Sequence, residues 1–492
     1  MKITNDRTAF YGIVGETIDI YQVEHAAAAA FNQLGGRASS HGIRQKVIVG
    51  RDANPSADMM EAAVCAALCA AGADVLTIGT VPSAAVSYLT SCCDALMGIM
   101  ITGSSQDAEF SGLKFYQSSG RQVTGELLQS IHASIDGHTS LNSKQAGKIK
   151  KAAPDVTDIY IEAILNSVNH VMFEKLSIAI DCTNSASAGF AAKIFTQLGA
   201  DVKEVSHVDP TSGDVVSSYT NHSALIEFVR DNQCDLGFAF STDGEVCFAV
   251  DNEGKCYDTE KLAAVCSQVL RTPATPDSPA SMVLVSESCH AALAPYINSI
   301  GADCRVISGD FSHLLEETEG RRILLTADRN AGVLFPAHFR VPDGLLTAAI
   351  LLYCLNKSEM TLKELSLSVP KFARATSLVT IPANAALPDL GYTNLPEHIQ
   401  KLRTQLSGDG KIVLTRVDRN KVNIIVEGIN QTQVASVAEQ TERLVRKNLK
   451  EVNGPVREPL GASIPPTKPA PKSAPTQDVK PTNVSKEEKK SV

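Results

Sequence analysis

A serine-rich loop between two predicted strands carries Ser104, the hydroxyl group best placed for chemistry in this sequence. The apolar run 95–101 ends abruptly in Thr-Gly-Ser-Ser, a pattern that is typical of a buried strand opening into a turn at its carboxyl end. Functional groups collect at such strand ends in α/β proteins. Residues 110–116 predict a returning strand, so the loop between the two strands holds either a nucleophile or an ordinary serine-rich turn.

A second loop of chemical interest is the acidic turn that carries Ser241, Asp243 and Glu245. It lies between the apolar runs 236–240 and 247–250, which predict a strand on each side. Hard oxygen ligands on such a tight loop suit Mg²⁺, and they leave coordination positions for phosphoryl oxygen and water. An acidic hairpin turn that holds no metal is an equally good interpretation of the same residues.

Three copies of a Gly-Ala-Asp turn mark the elements that must position these loops. The copies begin at Gly72, Gly199 and Gly301, and each follows a helix-like segment and precedes a β-branched run. In each copy the glycine fits a helix C-cap and the next residues begin a strand. Further strand candidates lie upstream of each copy, so every copy predicts a βαβ unit. The repeat therefore predicts three successive related α/β domains.

The chain of 492 residues is too long for one hydrophobic core and predicts four folded domains with a tail. The predicted fold class is α/β: three tandem related α/β domains with mixed sheets, then a small C-terminal α+β domain. In the last domain, residues 422–426 alternate as a strand and about 432–447 form an amphipathic helix. Pro, Lys, Ser and Thr dominate the tail, which we expect to be disordered and which could tether a protein partner. The predicted boundaries are 1–155, 156–257, 258–369, 370–453 and 454–492.

Composition narrows the class of protein. A hydrophobic content of 44% with 20% charged residues is typical of a soluble globular protein. The net charge of -9 argues against nucleic acid or an anionic membrane as the main partner. No secretory pattern opens the chain and no apolar stretch is long enough to span a bilayer, so we expect a cytoplasmic protein. The twelve cysteines show no C-x-x-C pair and predict free thiols, mostly in the core.

The serine loop resembles the phosphoserine loop of the α-D-phosphohexomutases, the family of phosphoglucomutase, phosphomannomutase and phosphoglucosamine mutase. The family pattern is G-I-M-I-T-A-S-H-N-P followed by Y-N-G-I-K-F-Y, and residues 98–102, Ser104 and 112–116 fit it. Ser104 falls at the phosphorylated serine. The resemblance extends to the stretch around Arg51 and Asp52, which we expect to form an internal ion pair. The departures inside the serine loop are Gly103, Ser105, Gln106 and Asp107.

The resemblance also implies roles for the remaining candidate residues. The metal loop D-G-D-G-D-R has Ser241, Asp243 and Glu245 at its ligand positions, and a phosphorylated Ser104 would add a further ligand for a weakly held Mg²⁺. Residues 328–332 resemble the sugar-recognition loop G-E-x-S-G-H, with Asp328 at the Glu, Asn330 at the Ser and Gly332 at the His. The distal phosphate loop R-x-S-G-T-E-P corresponds to a basic hairpin that carries Arg416, Arg419 and Lys421.

The resemblance therefore implies a phosphohexomutase of the phosphomannomutase or phosphoglucomutase type. Such an enzyme moves a phosphoryl group within a hexose phosphate through a phosphoserine and Mg²⁺, in carbohydrate metabolism. Phosphoryl transfer depends on positioning and charge neutralisation, so the replaced ligands count against efficient turnover. The alternative is a catalytically impaired homologue that binds a phosphosugar or acts as a scaffold. A nucleotide-dependent enzyme is disfavoured, because the chain has no G-x-x-x-x-G-K-[ST] or G-x-G-x-x-G loop.

Overall fold

The computed structural model describes residues 1–4, 7–35, 45–103, 109–135, 146–205, 222–275, 278–380, 395–406, 410–418 and 421–453. The predicted disordered tail, 454–492, lies outside these residues, and so do Ser104 and Arg419. Within the described ranges the chain forms four sheets in succession. The predicted α/β class is confirmed, since the first three sheets are mixed and covered by helices while the fourth is small and antiparallel.

The first sheet has seven strands. Its part of the chain runs β1 (Lys2–Ile3), β2 (Phe10–Ile13), α1 (Ile20–Gln33), β3 (Lys46–Arg51), α2 (Ala57–Ala71), β4 (Asp74–Thr80), α3 (Ser83–Cys92), β5 (Met97–Ile101), β6 (Phe110–Gln117), α4 (Gly125–Ala133) and β7 (Ile149–Lys151). The strand order is β1-β2-β6-β5-β3-β4-β7. Strand β5 pairs in parallel with β3 and antiparallel with β6, so the serine loop joins two neighbouring strands.

The second sheet has five strands in the order β12-β11-β10-β8-β9. Its elements are α5 (Asp155–Ser167), β8 (Ser177–Asp181), α6 (Phe190–Gln197), β9 (Asp201–Val205), α7 (Ser223–Asp231), β10 (Leu236–Phe240), β11 (Cys247–Asp251) and β12 (Cys256–Tyr257). Every residue of β10 is buried, as expected for a strand with both faces covered. The acidic loop joins β10 to its antiparallel neighbour β11.

The third and fourth sheets complete the described chain. The third sheet has the strand order β14-β13-β15-β16. Its part of the chain runs α8 (Thr259–Leu270), β13 (Met282–Ser286), α9 (Leu293–Ser299), β14 (Asp303–Ile307), α10 (Phe311–Thr318), β15 (Ile323–Asp328), β16 (Gly332–Leu334) and α11 (Gly344–Ser358). The fourth sheet has the strand order β17-β19-β18. Its part of the chain runs α12 (Leu362–Leu365), a 3₁₀ turn (Ser366–Ser368), β17 (Ala373–Thr380), α13 (Leu395–Arg403), β18 (Lys411–Asp418), β19 (Lys421–Gly428) and α14 (Gln431–Asn453).

The Gly-Ala-Asp repeat marks corresponding turns of the first three sheets. Gly72, Gly199 and Gly301 have φ values of 97°, 81° and 92°, which lie in the left-handed region that L side chains rarely adopt. Strands β4, β9 and β14 each begin at the aspartate of the turn. The predicted helix, turn and strand of each copy are therefore confirmed.

The largest hydrophobic cluster of the described residues extends across the first three sheets, beside separate clusters within each of them. It includes Val86 of α3, Phe238 of β10 and Leu325 of β15, all buried. Ring contacts such as Tyr88 with Phe339, 5.1 Å between centroids, cross from one sheet's layer to another. The three sheets thus pack around one centre, and the acidic loop lies at that centre. The twelve cysteines are all free and seven of them are buried, as predicted.

None of the helices in the described part of the chain combines the length and apolar character that crossing a membrane requires.

Candidate functional site

Two side chains on the loop after β3 hold the ends of the serine loop. The buried carboxylate of Asp52 accepts hydrogen bonds from the backbone N–H groups of Asn54 at 2.9 Å and Gly103 at 3.1 Å. The Asn54 amide donates to the carbonyl of Phe110 at 2.8 Å. Burial raises the pKa of Asp52 to about 6, although the hydrogen bonds that it accepts act in the opposite direction. Asp52 and Asn54 therefore fix the residues on either side of the loop that carries Ser104.

The expected ion pair between Arg51 and Asp52 is wrong. Arg51 pairs instead with Asp58 at 2.7 Å and with Glu61 at 3.1 Å, both on α2. Neighbouring side chains leave an extended backbone on opposite sides. Arg51, the last residue of β3, therefore contacts α2, while Asp52 contacts the serine loop. The two residues thus lie at the predicted turn, but the partners predicted for them are wrong.

The acidic loop is buried and braced by its own hydrogen bonds. Asp243 and Glu245 are 1% and 6% exposed, and Ser241 is fully buried. The Ser241 hydroxyl donates to Asp243 Oδ1 at 2.7 Å and accepts from the N–H of Val246 at 3.0 Å. The N–H of Glu245 donates to the same carboxylate oxygen at 3.2 Å. Ser241 thus uses its proton and one lone pair to shape the turn.

Elements of the other two α/β sheets pack tightly against this loop. The N–H of Ser83 at the start of α3 donates to the carbonyl of Asp243, and the N–H of Gly344 at the start of α11 donates to that of the next residue, both at 2.9 Å. A Cβ atom at Gly332 would lie 2.6 Å from the carbonyl oxygen of Glu245. The glycine at the position of the family's histidine therefore allows β16 to approach the backbone of the acidic loop.

A lysine that is not among the predicted site residues lies between the two carboxylates. The ammonium group of Lys114 on β6 lies 2.9 Å from Asp243 Oδ2 and 2.6 Å from Glu245 Oε1. Lys114 is 4% exposed. We call these three residues the lysine cluster. The sequence did carry a signal, since Lys114 is the one charged residue of β6, a largely buried strand in which a charge needs a partner.

The members of the lysine cluster shift one another's pKa. Burial by itself lowers the pKa of Lys114, but the two carboxylates outweigh burial, so the pKa of Lys114 is raised. Burial acts to raise the pKa of Asp243, yet Lys114 and several hydrogen bonds leave that pKa lowered. The pKa of Glu245 is raised to about 7 by burial and by the charge of Asp243. Lys114 therefore stays an ammonium ion at neutral pH, and Glu245 is the member of the cluster that titrates near pH 7.

The lysine cluster does not fit the Mg²⁺ predicted for the acidic loop. Mg²⁺ prefers near-ideal octahedral coordination by oxygen and usually keeps several water molecules. Here the two carboxylates already contact an ammonium group, and Ser241 offers a neutral hydroxyl bonded within the turn. Among the described residues, no group of three or more His, Cys, Asp or Glu side chains could hold a metal ion. The chain thus presents a cation of its own where one of the two interpretations of the sequence places a divalent ion.

The predicted sugar-binding residues lie on the turn between β15 and β16. Asp328 is buried, and its Oδ1 accepts from the N–H groups of Asn330 at 2.8 Å and Ala331 at 3.0 Å. Its Oδ2 accepts from the Ser288 hydroxyl at 2.9 Å. Asn330 is exposed. Because Asp328 pairs with Gly332 across the hairpin, this turn lies next to the acidic loop. A role of Asp328 and Asn330 in sugar binding stays a prediction.

The predicted phosphate-binding residues belong to the hairpin of β18 and β19. The backbone of Arg416 pairs with Val422, and Lys421 begins β19 opposite Asp418. Arg419 lies outside the described residues. The structure thus places Arg416 and Lys421 on one hairpin of the fourth sheet, while the lysine cluster lies among the first three sheets. A role of these residues in phosphate binding stays a prediction.

Comparisons of the sequence with known proteins agree with the arrangement of the sheets. Residues 10–142 match the family model "Phosphoglucomutase/phosphomannomutase, alpha/beta/alpha domain I", and residues 158–254 match domain II of the same family. The chain is 28% identical over 423 residues to a phosphoglucosamine mutase of Clostridium beijerinckii, which covers 84% of this chain and 94% of that protein. It is 26% identical over 426 residues to the phosphoglucosamine mutase of Pelotomaculum thermopropionicum, with 84% and 94% covered.

Solved structures share the same fold. A phosphoglucomutase/phosphomannomutase family protein from Burkholderia thailandensis superimposes with a TM-score of 0.70 at 20% identity, covering 92% of this chain and 99% of that one. The N-acetylphosphoglucosamine mutase of Aspergillus fumigatus in complex with GlcNAc-6P and magnesium superimposes with a TM-score of 0.56 at 12% identity, covering 87% and 96%. At these identities the superpositions concern the fold alone.

Proposed function

Because this chain belongs to the α-D-phosphohexomutase superfamily, we propose that it transfers a phosphoryl group between Ser104 and a hexose phosphate. The single observation that carries this proposal is the support of the serine loop by Asp52 and Asn54, which fix Gly103 and Phe110 on either side of it. Effective phosphoryl transfer requires a nucleophile held in position.

In the proposed reaction, phosphorylated Ser104 reacts with a free hydroxyl group of the sugar phosphate. The bond from phosphorus to Ser104 Oγ breaks, a bond from phosphorus to the sugar oxygen forms, and the proton of the sugar hydroxyl ends on the serine oxygen. The resulting bisphosphate then returns its other phosphoryl group to Ser104. The net result is a hexose phosphate with its phosphate on a different carbon, and the serine is phosphorylated again.

The other residues support this reaction by charge and by hydrogen bonding. Lys114 brings a fixed positive charge to the strand next to β5, which leads into the serine loop. Fixed charges of this kind stabilise a transferring phosphoryl group without reorganisation during the reaction. Asn330 and Asp328 are proposed to contact sugar hydroxyls. Arg416, Arg419 and Lys421 are proposed to attract the phosphate that is not being transferred.

The proposed substrate class is a hexose phosphate, and glucosamine phosphate is the first candidate. The relatives from Clostridium and Pelotomaculum are named phosphoglucosamine mutases, and these matches span most of this chain. Glucose and mannose phosphates are the other candidates, in line with the names of the matching domain models. An assay on all three sugars separates them.

The test uses intact-mass spectrometry after incubation with glucose 1,6-bisphosphate. We expect wild type to gain one phosphate and Ser104→Ala to gain none. Ser105→Ala is the matched control, since it removes a neighbouring hydroxyl from the same loop, and it should be labelled like wild type. Equal labelling of Ser104→Ala and wild type would overturn the proposal.

The same experiment addresses the alternative of a binding protein without turnover. A wild type that binds a hexose phosphate in calorimetry but never carries phosphate on Ser104 would favour a phosphosugar-binding or scaffolding role. We propose the transferase role because buried polar groups fix the ends of the serine loop, and phosphoryl transfer depends on a positioned nucleophile.

A further inference from the structure

The lysine cluster joins strand β6 of the first sheet to the acidic loop of the second. The Lys114 ammonium group contacts one oxygen of each carboxylate, at 2.9 Å and 2.6 Å. All three side chains are nearly inaccessible to solvent, with Lys114 4% exposed. A buried charge costs several kcal/mol unless it is paired, so three buried charges persist together only because they are close to one another.

The acidic loop offers a divalent ion fewer charged ligands than the metal loop that it resembles. The family loop D-G-D-G-D-R has three carboxylates, whereas this chain has two, with the hydroxyl of Ser241 as the third group. That hydroxyl is committed to Asp243 Oδ1 and to the N–H of Val246. Lys114 itself fits the family pattern Y-N-G-I-K-F-Y, so the change in this chain is the loss of one carboxylate, and both carboxylates that remain contact the ammonium group.

The position of Lys114 makes its charge relevant to the serine loop. Lys114 pairs with Met100 across β5 and β6, two residues before Thr102. The N–H of Thr102 in turn donates to the carbonyl of Gly112 at 3.1 Å, so the two strands stay joined up to the residues that precede Ser104. The ammonium group thus belongs to the same pair of strands as the proposed nucleophile.

We infer that the Lys114 ammonium group occupies the two carboxylates that a divalent metal ion would need, so that the charge balancing these carboxylates comes from the chain itself and Mg²⁺ is excluded. The inference rests on the proposed function only for the use of that charge. The exclusion of metal is a property of the cluster, and it holds or fails whether or not the protein turns over a sugar phosphate.

The test measures binding of Mn²⁺, which accepts the same oxygen ligands as Mg²⁺ and is followed by electron paramagnetic resonance. We expect wild type to show no saturable binding in millimolar Mn²⁺. Lys114→Met keeps a side chain of similar length but removes the ammonium group that pairs with both carboxylates. This variant should therefore bind one ion. The double variant Lys114→Met/Ser241→Asp supplies a third carboxylate and should bind at least tenfold more tightly, since affinity of such sites follows the number of charged ligands.

Asp243→Asn in the wild-type background keeps the inference falsifiable if the lysine variants fail to fold. Saturable Mn²⁺ binding by wild type that disappears in Asp243→Asn would overturn the inference, because it would show that Lys114 leaves when a metal arrives. The absence of such binding in both proteins supports it. Labelling of Ser104 is measured separately, so failure of the phosphoryl transfer and failure of metal exclusion give different results.

Discussion

Two buried clusters in this protein each hold one cation between two carboxylates, and they differ in what surrounds them. The lysine cluster joins the first two sheets, and an arginine cluster joins the third sheet to the fourth. In the arginine cluster the guanidinium of Arg374 lies 2.9 Å from Glu260 and 2.8 Å from Glu427. These carboxylates also accept from the backbone N–H groups of His290 and Ala291, at 2.7 Å and 3.0 Å. The arginine cluster therefore fixes a loop of the third sheet to the small domain.

The difference shows that charge composition alone does not identify a functional site. Arg374 presents a planar fork that matches two carboxylates, which suits a permanent connection between domains. Lys114 carries its charge on a compact ammonium group and belongs to β6, one of the two strands that the serine loop joins. Its partner Glu245 titrates near neutral pH. The neighbours of each cluster, rather than its charges, separate a structural connection from a candidate active site.

The largest expected effect comes from breaking the arginine cluster. Arg374→Met leaves Glu260 and Glu427 buried without their cation, and we expect a loss of about 3–5 kcal/mol in the free energy of unfolding. Scanning calorimetry should show the transition of the small domain moving to lower temperature. Labelling of Ser104 should persist at temperatures where the fold survives. An unchanged calorimetric profile would show that the cluster is not needed to join the domains.

Breaking the lysine cluster should cost less stability but affect the proposed chemistry. In Lys114→Met, Glu245 can take up a proton, because its pKa is already raised to about 7. We therefore expect a loss of about 2–3 kcal/mol at pH 6. The phosphorylation rate of Ser104, measured by intact mass, should fall on the order of 10²-fold or more, as for the loss of one electrostatic stabiliser. A labelling rate equal to that of wild type would assign Lys114 a structural role only, like that of Arg374.

A third test uses the pH dependence of stability to isolate the contribution of Glu245. The pKa of Glu245 is raised from 4.5 to about 7 in the folded protein, so its contribution favours folding at pH below 4.5 and is lost as pH rises towards 7. Wild type should therefore lose more stability than Glu245→Gln between those pH values, by about 1–3 kcal/mol. Urea titrations of both proteins at several pH values measure the difference. Parallel pH curves would contradict the raised pKa. The pKa values of Asp52 and Asp343 are also raised, to about 6. Both residues are present in wild type and in Glu245→Gln, so their effect on stability is the same in each protein and does not alter the difference between them.

The smallest effect is expected on the sugar-recognition turn. Asp328→Asn keeps an acceptor for the N–H groups of Asn330 and Ala331, so the free energy of unfolding should fall by about 1 kcal/mol or less. Asn330→Ala exchanges an exposed side chain and should not change stability measurably. If both residues contact the sugar, each variant should raise KM more than it lowers kcat. Unchanged KM values in both variants would place the sugar elsewhere.

Much of the fold could be predicted from the sequence because its signals are local. The Gly-Ala-Asp turns and the apolar runs around them predicted where β4, β9 and β14 begin. The partners of Arg51 were mispredicted because Asp58 and Glu61 lie on a helix whose packing the sequence does not display. Lys114 was missed because its partners are more than a hundred residues away, at Asp243 and Glu245. Local pattern thus predicts elements, whereas long-range charge pairing needs the folded chain.

Turnover in the presence of a chelator distinguishes a charge supplied by the chain from a bound metal ion. Protein treated with EDTA is assayed on glucosamine, glucose and mannose 1-phosphates with the corresponding bisphosphate as primer, beside Ser104→Ala. We predict turnover of at least one sugar that is unaffected by EDTA and absent in Ser104→Ala. Turnover that requires added Mg²⁺ would contradict the exclusion of the metal ion, and turnover that persists unchanged in Ser104→Ala would contradict the role of Ser104.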